Sequence, residues 1–262
     1  MILGIDHILI AVEDLEKAME VYRRLGFQVL IGGEHPQVGT HNALVPLADG
    51  SYLELIGVKK PELAQGFPFG QQVLEALAGP NRLAGFALET NDYNNDVQVI
   101  RDRGLTIAKA PPGGRVRPDG QQVSWRTAHP ENSQLPFLIQ DTTLRSLRVP
   151  PPIEGLGCAT KMGWVEVGAA DFQPAITAYT QLLGERPVEG RFSLQRGAIH
   201  LSQSFSEDGV QMVALLTEDL SRLAGDWQAR NVPFYDEGIR GVGRVLVPRE
   251  TGGARISFCQ LP

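Results

Sequence analysis

Two polar residues stand out near the start of the chain because everything around them is apolar. His7 lies within the run Ile5–Val12, and Glu54 lies among Tyr52, Leu53, Leu55 and Ile56. A carboxylate on so apolar a strand is costly to bury without a partner. By base rate a lone histidine on such a strand is a hydrogen-bonded core residue; the equally isolated Glu54 shifts the reading towards a shared polar site. A His–Glu pair can act as a general base or anchor a substrate without further help. Other chemistry lacks its residues: there is no Gly-x-Ser-x-Gly elbow, P-loop or Cys-x-x-Cys, and Gly238, Gly241 and Gly243 are wrongly spaced for a dinucleotide loop. His35 and His129 sit beside prolines in expected turns and carry no site signal, while His200 reads as a sheet residue.

The elements that must position His7 and Glu54 follow from the local pattern. Ile5–Val12 reads as a strand, and Asp14 is placed to cap a helix over Leu15–Leu25, where Leu15, Ala18, Met19, Tyr22 and Leu25 share one face. Gly26 ends that helix. Strand-like runs follow at Phe27–Ile31, Asn42–Leu47 and Ser51–Val58, the last two joined by the hairpin signal Asp49-Gly50. This order of strand, helix and three strands recurs. Laying Gly85–Leu105 on His7–Phe27 pairs Asp92 with Asp14, Val99 with Val21, Arg101 with Arg23 and Gly104 with Gly26. Asp171, Ala175, Tyr179 and Leu182 repeat Asp14, Ala18, Tyr22 and Leu25, and Glu218-Asp219-Leu220 repeats Glu13-Asp14-Leu15. Four βαβββ modules result, at about 2–58, 83–140, 161–204 and 209–260. The Pro-rich stretch Arg148–Ile153 reads as a stiff linker dividing the chain into domains 1–148 and 155–262. One α+β domain with a similar rhythm is the alternative.

Composition bounds the function. Hydrophobic residues make up 42% and charged residues 21%, the range of a folded globular protein. With 24 Lys+Arg against 30 Asp+Glu, and no basic cluster denser than Arg115–Arg117, neither nucleic acid nor an anionic membrane is the expected partner. No apolar run reaches membrane-spanning length, and the first residues lack the features of a cleaved leader. Cys158 and Cys259 are in no metal spacing and suggest no disulfide framework, so a cytoplasmic location is expected.

The motifs Asp6-His7-Ile8, Glu13-Asp14-Leu15, Tyr22-Arg23-Arg24-Leu25-Gly26-Phe27, Gly39–Leu44, Asp49–Leu55 and Leu135–Gln140 resemble those of glyoxalase-like proteins of the vicinal oxygen chelate superfamily. They cover residues 5–140; the second half matches in plan only. The resemblance implies the α+β glyoxalase/bleomycin resistance/dioxygenase fold, in which four βαβββ modules pair into two open-barrel cups. It also implies metal ligands on the first and last strands of each module, holding a substrate through adjacent oxygens. Carried over by position, His7 and Glu54 are present, but Gly85 and about Phe137 replace them in module two. Trp164 and about His200 do so in module three, and Met212 and about Ser257 in module four. His41 is the best third ligand, giving two histidines and a carboxylate suited to Zn, Mn, Ni or Fe(II). A one-residue slip would turn Asn42 inward instead.

Trp125 and Arg126 lie on the module-two strand matching that of His41, where an arginine either binds a carboxylate or oxyanion or is simply exposed; Gln140 would line the cup. The segment Pro61–Arg82 is expected to pack as a connector, with a lid over the cup as the alternative. The expected function is lyase, isomerase or dioxygenase chemistry on a small oxygen-rich substrate in the first cup. The alternative is a metal-free binder like the bleomycin-resistance proteins. A third alternative makes the second half purely structural or a homodimer surface.

Overall fold

The computed structural model describes residues 1–153, 161–203, 207–239 and 243–260; Cys158 and the glycine run's residues 240–242 lie outside them. Module one contains β1 (Ile2–Ala11), α1 (Leu15–Arg24), β2 (Leu30–His35), β3 (Thr40–Pro46) and β4 (Tyr52–Val58). Asp14 caps α1 by accepting a hydrogen bond from Lys17 N, and Gly26 leaves it at φ 101°, a conformation open to glycine. The second strand lies later than the expected Phe27–Ile31. Phe27 and Val29 are buried ahead of it, and the strand runs on through Gly32-Gly33, past the expected end at Ile31.

After α2 (Pro61–Ala64) and α3 (Pro68–Ala78), module two contains β5 (Leu83–Thr90), α4 (Tyr93–Asp102), β6 (Ile107–Lys109), β7 (Gly113–Val116), β8 (Gln122–Pro130) and β9 (Phe137–Asp141). Pro111 and Pro112 have no N–H to give the ladder, so one strand is broken into β6 and β7, both antiparallel to β8. The two modules form one sheet in the order β6-β8-β7-β2-β3-β4-β1-β5-β9, and pairing of β8 with β9 brings its ends together. The paired modules thus curl into the barrel or cup that was expected. Its seam is narrow: β2 meets β7 at Glu34 and Val116.

A short helix α5 (Arg145–Arg148) leads to the second sheet. Module three contains β10 (Lys161–Gly168), α6 (Phe172–Leu183), β11 (Arg191–Ser193) and β12 (Ala198–Ser202). Module four contains β13 (Gly209–Thr217), α7 (Leu220–Ala229), β14 (Phe234–Ile239), β15 (Gly243–Pro248) and β16 (Ile256–Gln260). Their sheet is open, in the order β11-β12-β10-β13-β16-β15-β14. Among the described residues module three has two strands after its helix, where three were expected. The chain is mixed α+β, with β-rich sheets curled as the glyoxalase-type plan requires. We propose the two sheets as the centres of the two expected domains, 1–148 and 155–262.

Their helices are not packed separately. A single apolar cluster takes in Leu15, Met19 and Tyr22 of α1, Val97 and Ile100 of α4, Tyr179 and Leu182 of α6, Leu223 and Trp227 of α7, and one face of both sheets. Trp227 is fully buried, packs edge-on against Phe258 and donates from Nε1 to Leu25 O at 2.8 Å, tying the second half to the end of α1. Trp227→Ala is therefore expected to cost about 3–5 kcal/mol. Urea unfolding followed by far-ultraviolet circular dichroism should show one earlier transition for the whole chain, not the loss of one sheet alone.

Candidate functional site

The barrel's inner face is set by strand alternation. On β1, Ile8 and Ile10 join the helix-side core, while Leu9 and Ala11 pack inside the barrel. The β1–β5 register shifts between Ile5 and His7, leaving Asp6 as an extra residue. That bulge allows Ile5 to reach the helix-side core while Asp6 and His7 stay together as buried polar neighbours. On β4, Glu54 and Tyr52 face inward beside Ile56. On β3, Asn42 and Leu44 do so, since Leu44 is the cross-strand partner of Glu54.

These strands assemble a line of polar groups. His7 Nδ1 is 2.6 Å from Asp6 Oδ1, and His7 Nε2 is 3.4 Å from Glu54 Oε2. Glu54 Oε1 accepts from Asn42 Nδ2 at 2.7 Å. The room for Asn42 comes from Gly32, where a Cβ would lie 2.0 Å from Asn42 Oδ1. The His7 ring is stacked on Tyr52 with centroids 4.7 Å apart and meets the edge of Phe137 at 5.7 Å. His7 is 3% exposed and Glu54 6%, so this line is closed to solvent.

Asp6 is the hub. Arg148, 3% exposed, donates to both its oxygens at 3.0–3.2 Å, and Arg145 donates to Oδ2 at 2.5 Å. Arg148 also bonds Asp141 and donates to Tyr52 Oη at 2.7 Å. Burial alone would raise the Asp6 carboxyl, but Arg148, the hydrogen bond from His7 and Arg145 together hold it well below the usual carboxylate range. An ionised Asp6 accepts the proton on His7 Nδ1 and so fixes the tautomer. What remains is Nε2, facing Glu54 Oε2.

The expected residues divide sharply. His7, Glu54 and Asn42 meet in the barrel. Trp125 is also inside it, packed near Leu9, Ala87 and Phe137. His41 is on the opposite face of β3, where Lys59 and Glu34 influence it, so the register that brings in Asn42 removes His41 as a ligand. Arg126 is exposed and Gln140 is its cross-strand partner; both share the side of Ala128 and Leu138, away from the interior. The inward residue at the end of β9 is Asp141, one position later. Arg148, expected in a linker, is buried at the hub. His129, expected in a turn, is on β8 with its ring stacked 4.8 Å from Phe137. Asp6 could have been found by the argument used for Glu54: it too is a carboxylate on an apolar strand. Nothing in the sequence near Arg145 and Arg148 marked them as its partners.

The residues present do not fit a divalent metal. Asp6 on His7 Nδ1 would leave Nε2 free to ligate, but Ala87 lies opposite both His7 and Phe137 in the neighbouring strands, so the module-two wall beside the His7–Glu54 pair is apolar. Among the described residues no group of three or more His, Cys, Asp or Glu could hold such an ion.

Comparison with known families gives a match to the glyoxalase-like domain over residues 5–183. The chain belongs to the glyoxalase-like domain family. Solved structures similar to this glyoxalase-like chain include a hypothetical protein from Staphylococcus aureus, at TM-score 0.74 and 16% identity, covering 99% of this chain and 100% of that one. A mutant 4-hydroxymandelate synthase from Streptomyces coelicolor matches at 0.64 and 15%, covering 99% and 93%. An Mn(II)-bound glyoxalase from Novosphingobium aromaticivorans matches at 0.62 and 14%, covering 99% and 82%. At such identities these relatives share the fold alone. Curated protein sequences give no match. No described helix is long and apolar enough to cross a membrane.

The network makes a two-stage acid response. Burial pushes His129 down to about 4, so it folds neutral and its contribution to stability, complete above its ordinary value of 6.5, is lost as pH falls towards 4. Asp6, lowered from 3.8, contributes fully above that value and is lost only in stronger acid. His129→Phe should therefore flatten stability between pH 6.5 and 4. Asp6→Asn should cost about 3–5 kcal/mol at pH 7, by leaving buried Arg148 short of a counter-charge, and should weaken the loss below pH 4. Urea midpoints across pH 2–8 measure both.

Proposed function

We propose that this glyoxalase-like protein is an enzyme that moves a proton on a small oxygen-rich substrate inside the first barrel, with His7 and Glu54 as the proton-transfer pair. The supporting observation is the line Asp6–His7–Glu54: a histidine fixed at one nitrogen by an ionised carboxylate and presented at the other to a second carboxylate. Such a pair can take a proton from carbon or oxygen beside a carbonyl and return it to the neighbouring atom, with no redox change. Asn42 holds Glu54 in place through Oε1 and leaves Oε2 as the atom that exchanges the proton. Tyr52 and Phe137 exclude water around the ring.

The closed state needs an entrance. Phe69 on α3 packs against the cluster of Leu9, Phe137 and Ile139, and Val73 packs on Ala11 and Ile56. α3 thus plugs the barrel beside His7, and its displacement would open the interior. This is the lid expectation for Pro61–Arg82, and packing alone is its competitor.

A second reading has its own support. Trp125, Phe137, Tyr52 and Phe69 give the interior aromatic walls suited to holding a flat molecule without changing it, as a bleomycin-resistance-like binder would. A screen of small hydroxy- and keto-carbonyl compounds in D₂O, followed by NMR, separates the two. Enzyme chemistry predicts deuterium entering beside the carbonyl, slowed about 10²–10⁴-fold in His7→Gln and in Glu54→Gln while the fold is retained. Compounds that bind without exchange in the wild type would favour the binder. Metal content of protein purified without chelator is expected to be far below one ion per chain. Near-stoichiometric metal lost in His7→Ala and Glu54→Ala would overturn the metal-free mechanism.

A further inference from the structure

A cavity of about 460 Å³ lies where α1, β2, β7 and α5 approach one another, and it shares Leu44 and Arg148 with the barrel site. It is within the range of small-molecule pockets. Its charge is opposite to that of the chain. The protein carries a net −6, yet the cavity wall holds Arg23, Arg115, Arg117 and Arg148 against one carboxylate, Asp119.

The pairing of these charges is uneven. Arg148 is neutralised by Asp6 and Asp141, and Arg117 lies 2.9 Å from Asp119. Arg23 and Arg115 have no carboxylate partner among the described residues. For Arg23 the position explains part of this: it is exposed in the last turn of α1, where a cation is favoured. Arg115 is different. It is 5% exposed and bonds only backbone carbonyls, Gly32 O and, at 2.6 Å, Arg148 O. Those bonds hold its plane against the cavity but supply no counter-charge; Glu54 acts on it only through space, without an ion pair, and a buried cation so weakly compensated is expensive. The remaining wall is apolar, formed by Leu30, Leu44, Leu147 and Pro150, with Ile31 63% exposed at its edge.

We propose that this cavity binds a small organic anion, a carboxylate or phosphate on an apolar body, with Arg115 and Arg117 contacting the charge and Leu30, Leu44 and Leu147 the body. Arginine's planar fork suits either head group. The inference does not depend on proton transfer at His7 and Glu54.

Calorimetric titration with benzoate, phenyl phosphate and neutral benzyl alcohol tests it, using wild type, Arg23→Gln, Arg117→Gln, Arg115→Gln and His7→Gln. One equivalent of benzoate or phenyl phosphate should bind, the tighter of the two identifying the head group, and benzyl alcohol should not. Arg117→Gln and Arg115→Gln should each weaken binding about tenfold, the factor for one lost charged hydrogen bond, with Arg23→Gln weakening it less. His7→Gln should leave it unchanged. Equal binding of benzyl alcohol, no anion binding at millimolar concentration, or unchanged affinity in Arg117→Gln would overturn the proposal. Arg117 is near the surface, so that last result stands even if Arg115→Gln fails to fold.

Discussion

The first barrel is organised around the buried contact between Asp6 and Arg148, and most of what is unusual about the site follows from it. The carboxylate is fully buried and the guanidinium nearly so, which would be costly if either stood alone. Their mutual charge and the further bonds to His7, Arg145, Asp141 and Tyr52 offset that cost. The pair also has a topological effect. Asp6 lies on the first strand and Arg148 directly follows the last strand of module two, so the contact fixes the exit of the chain against its beginning. Val149, the next residue, is buried with Leu44 and Tyr52. The segment that reads as a linker is thus the plug of one end of the barrel.

The same contact determines what His7 can do. An imidazole between two carboxylates could serve several roles, including metal ligation. Because Asp6 is held ionised by arginine, it fixes the proton on Nδ1 and leaves chemistry to Nε2. Module two presents two apolar side chains, Ala87 and Phe137, on the wall that would have to supply further ligands. The barrel keeps one histidine and one carboxylate and surrounds them with the apolar or aromatic walls of Tyr52, Phe137 and Leu9, the dry setting that the proposed proton-transfer pair requires.

Much of this was legible in the sequence, and the failures have a common origin. Patterns with a local physical cause were readable: the Asp14 cap, the α1 face, the Asp49-Gly50 turn, and His7 and Glu54 as polar interruptions in apolar strands. What could not be read was register. Asn42 rather than His41, Asp141 rather than Gln140, and the outward turn of Arg126 are each a matter of one residue on a strand of period two. The Asp6 bulge and the break at Pro111-Pro112 shift that count, and only the second has a visible cause. Arg148 was missed for another reason: its partner, Asp6, lies 142 residues earlier in the chain, and no local pattern joins residues so distant in sequence.

The second sheet pairs its strands as the first does but differs in what those strands carry. β10 and β12 pair in parallel as β1 and β4 do, and Trp164 stands where His7 stands in module one. His200 occupies the Glu54 position, but Trp164 stacks on it at 5.6 Å and donates to Glu166 at 3.1 Å, filling the space that a ligand would need. The opposite face of that sheet supplies α6 and α7 to the shared core, where Trp227 reaches α1 and Tyr179 donates to Gln134 O at 3.4 Å. Those contacts brace the helices on which β1 and β5 rest, and a 3.4 Å separation between His7 and Glu54 depends on strands that do not move. The second half therefore packs against the helices of the first barrel, and among the described residues it supplies none of the groups around His7 and Glu54.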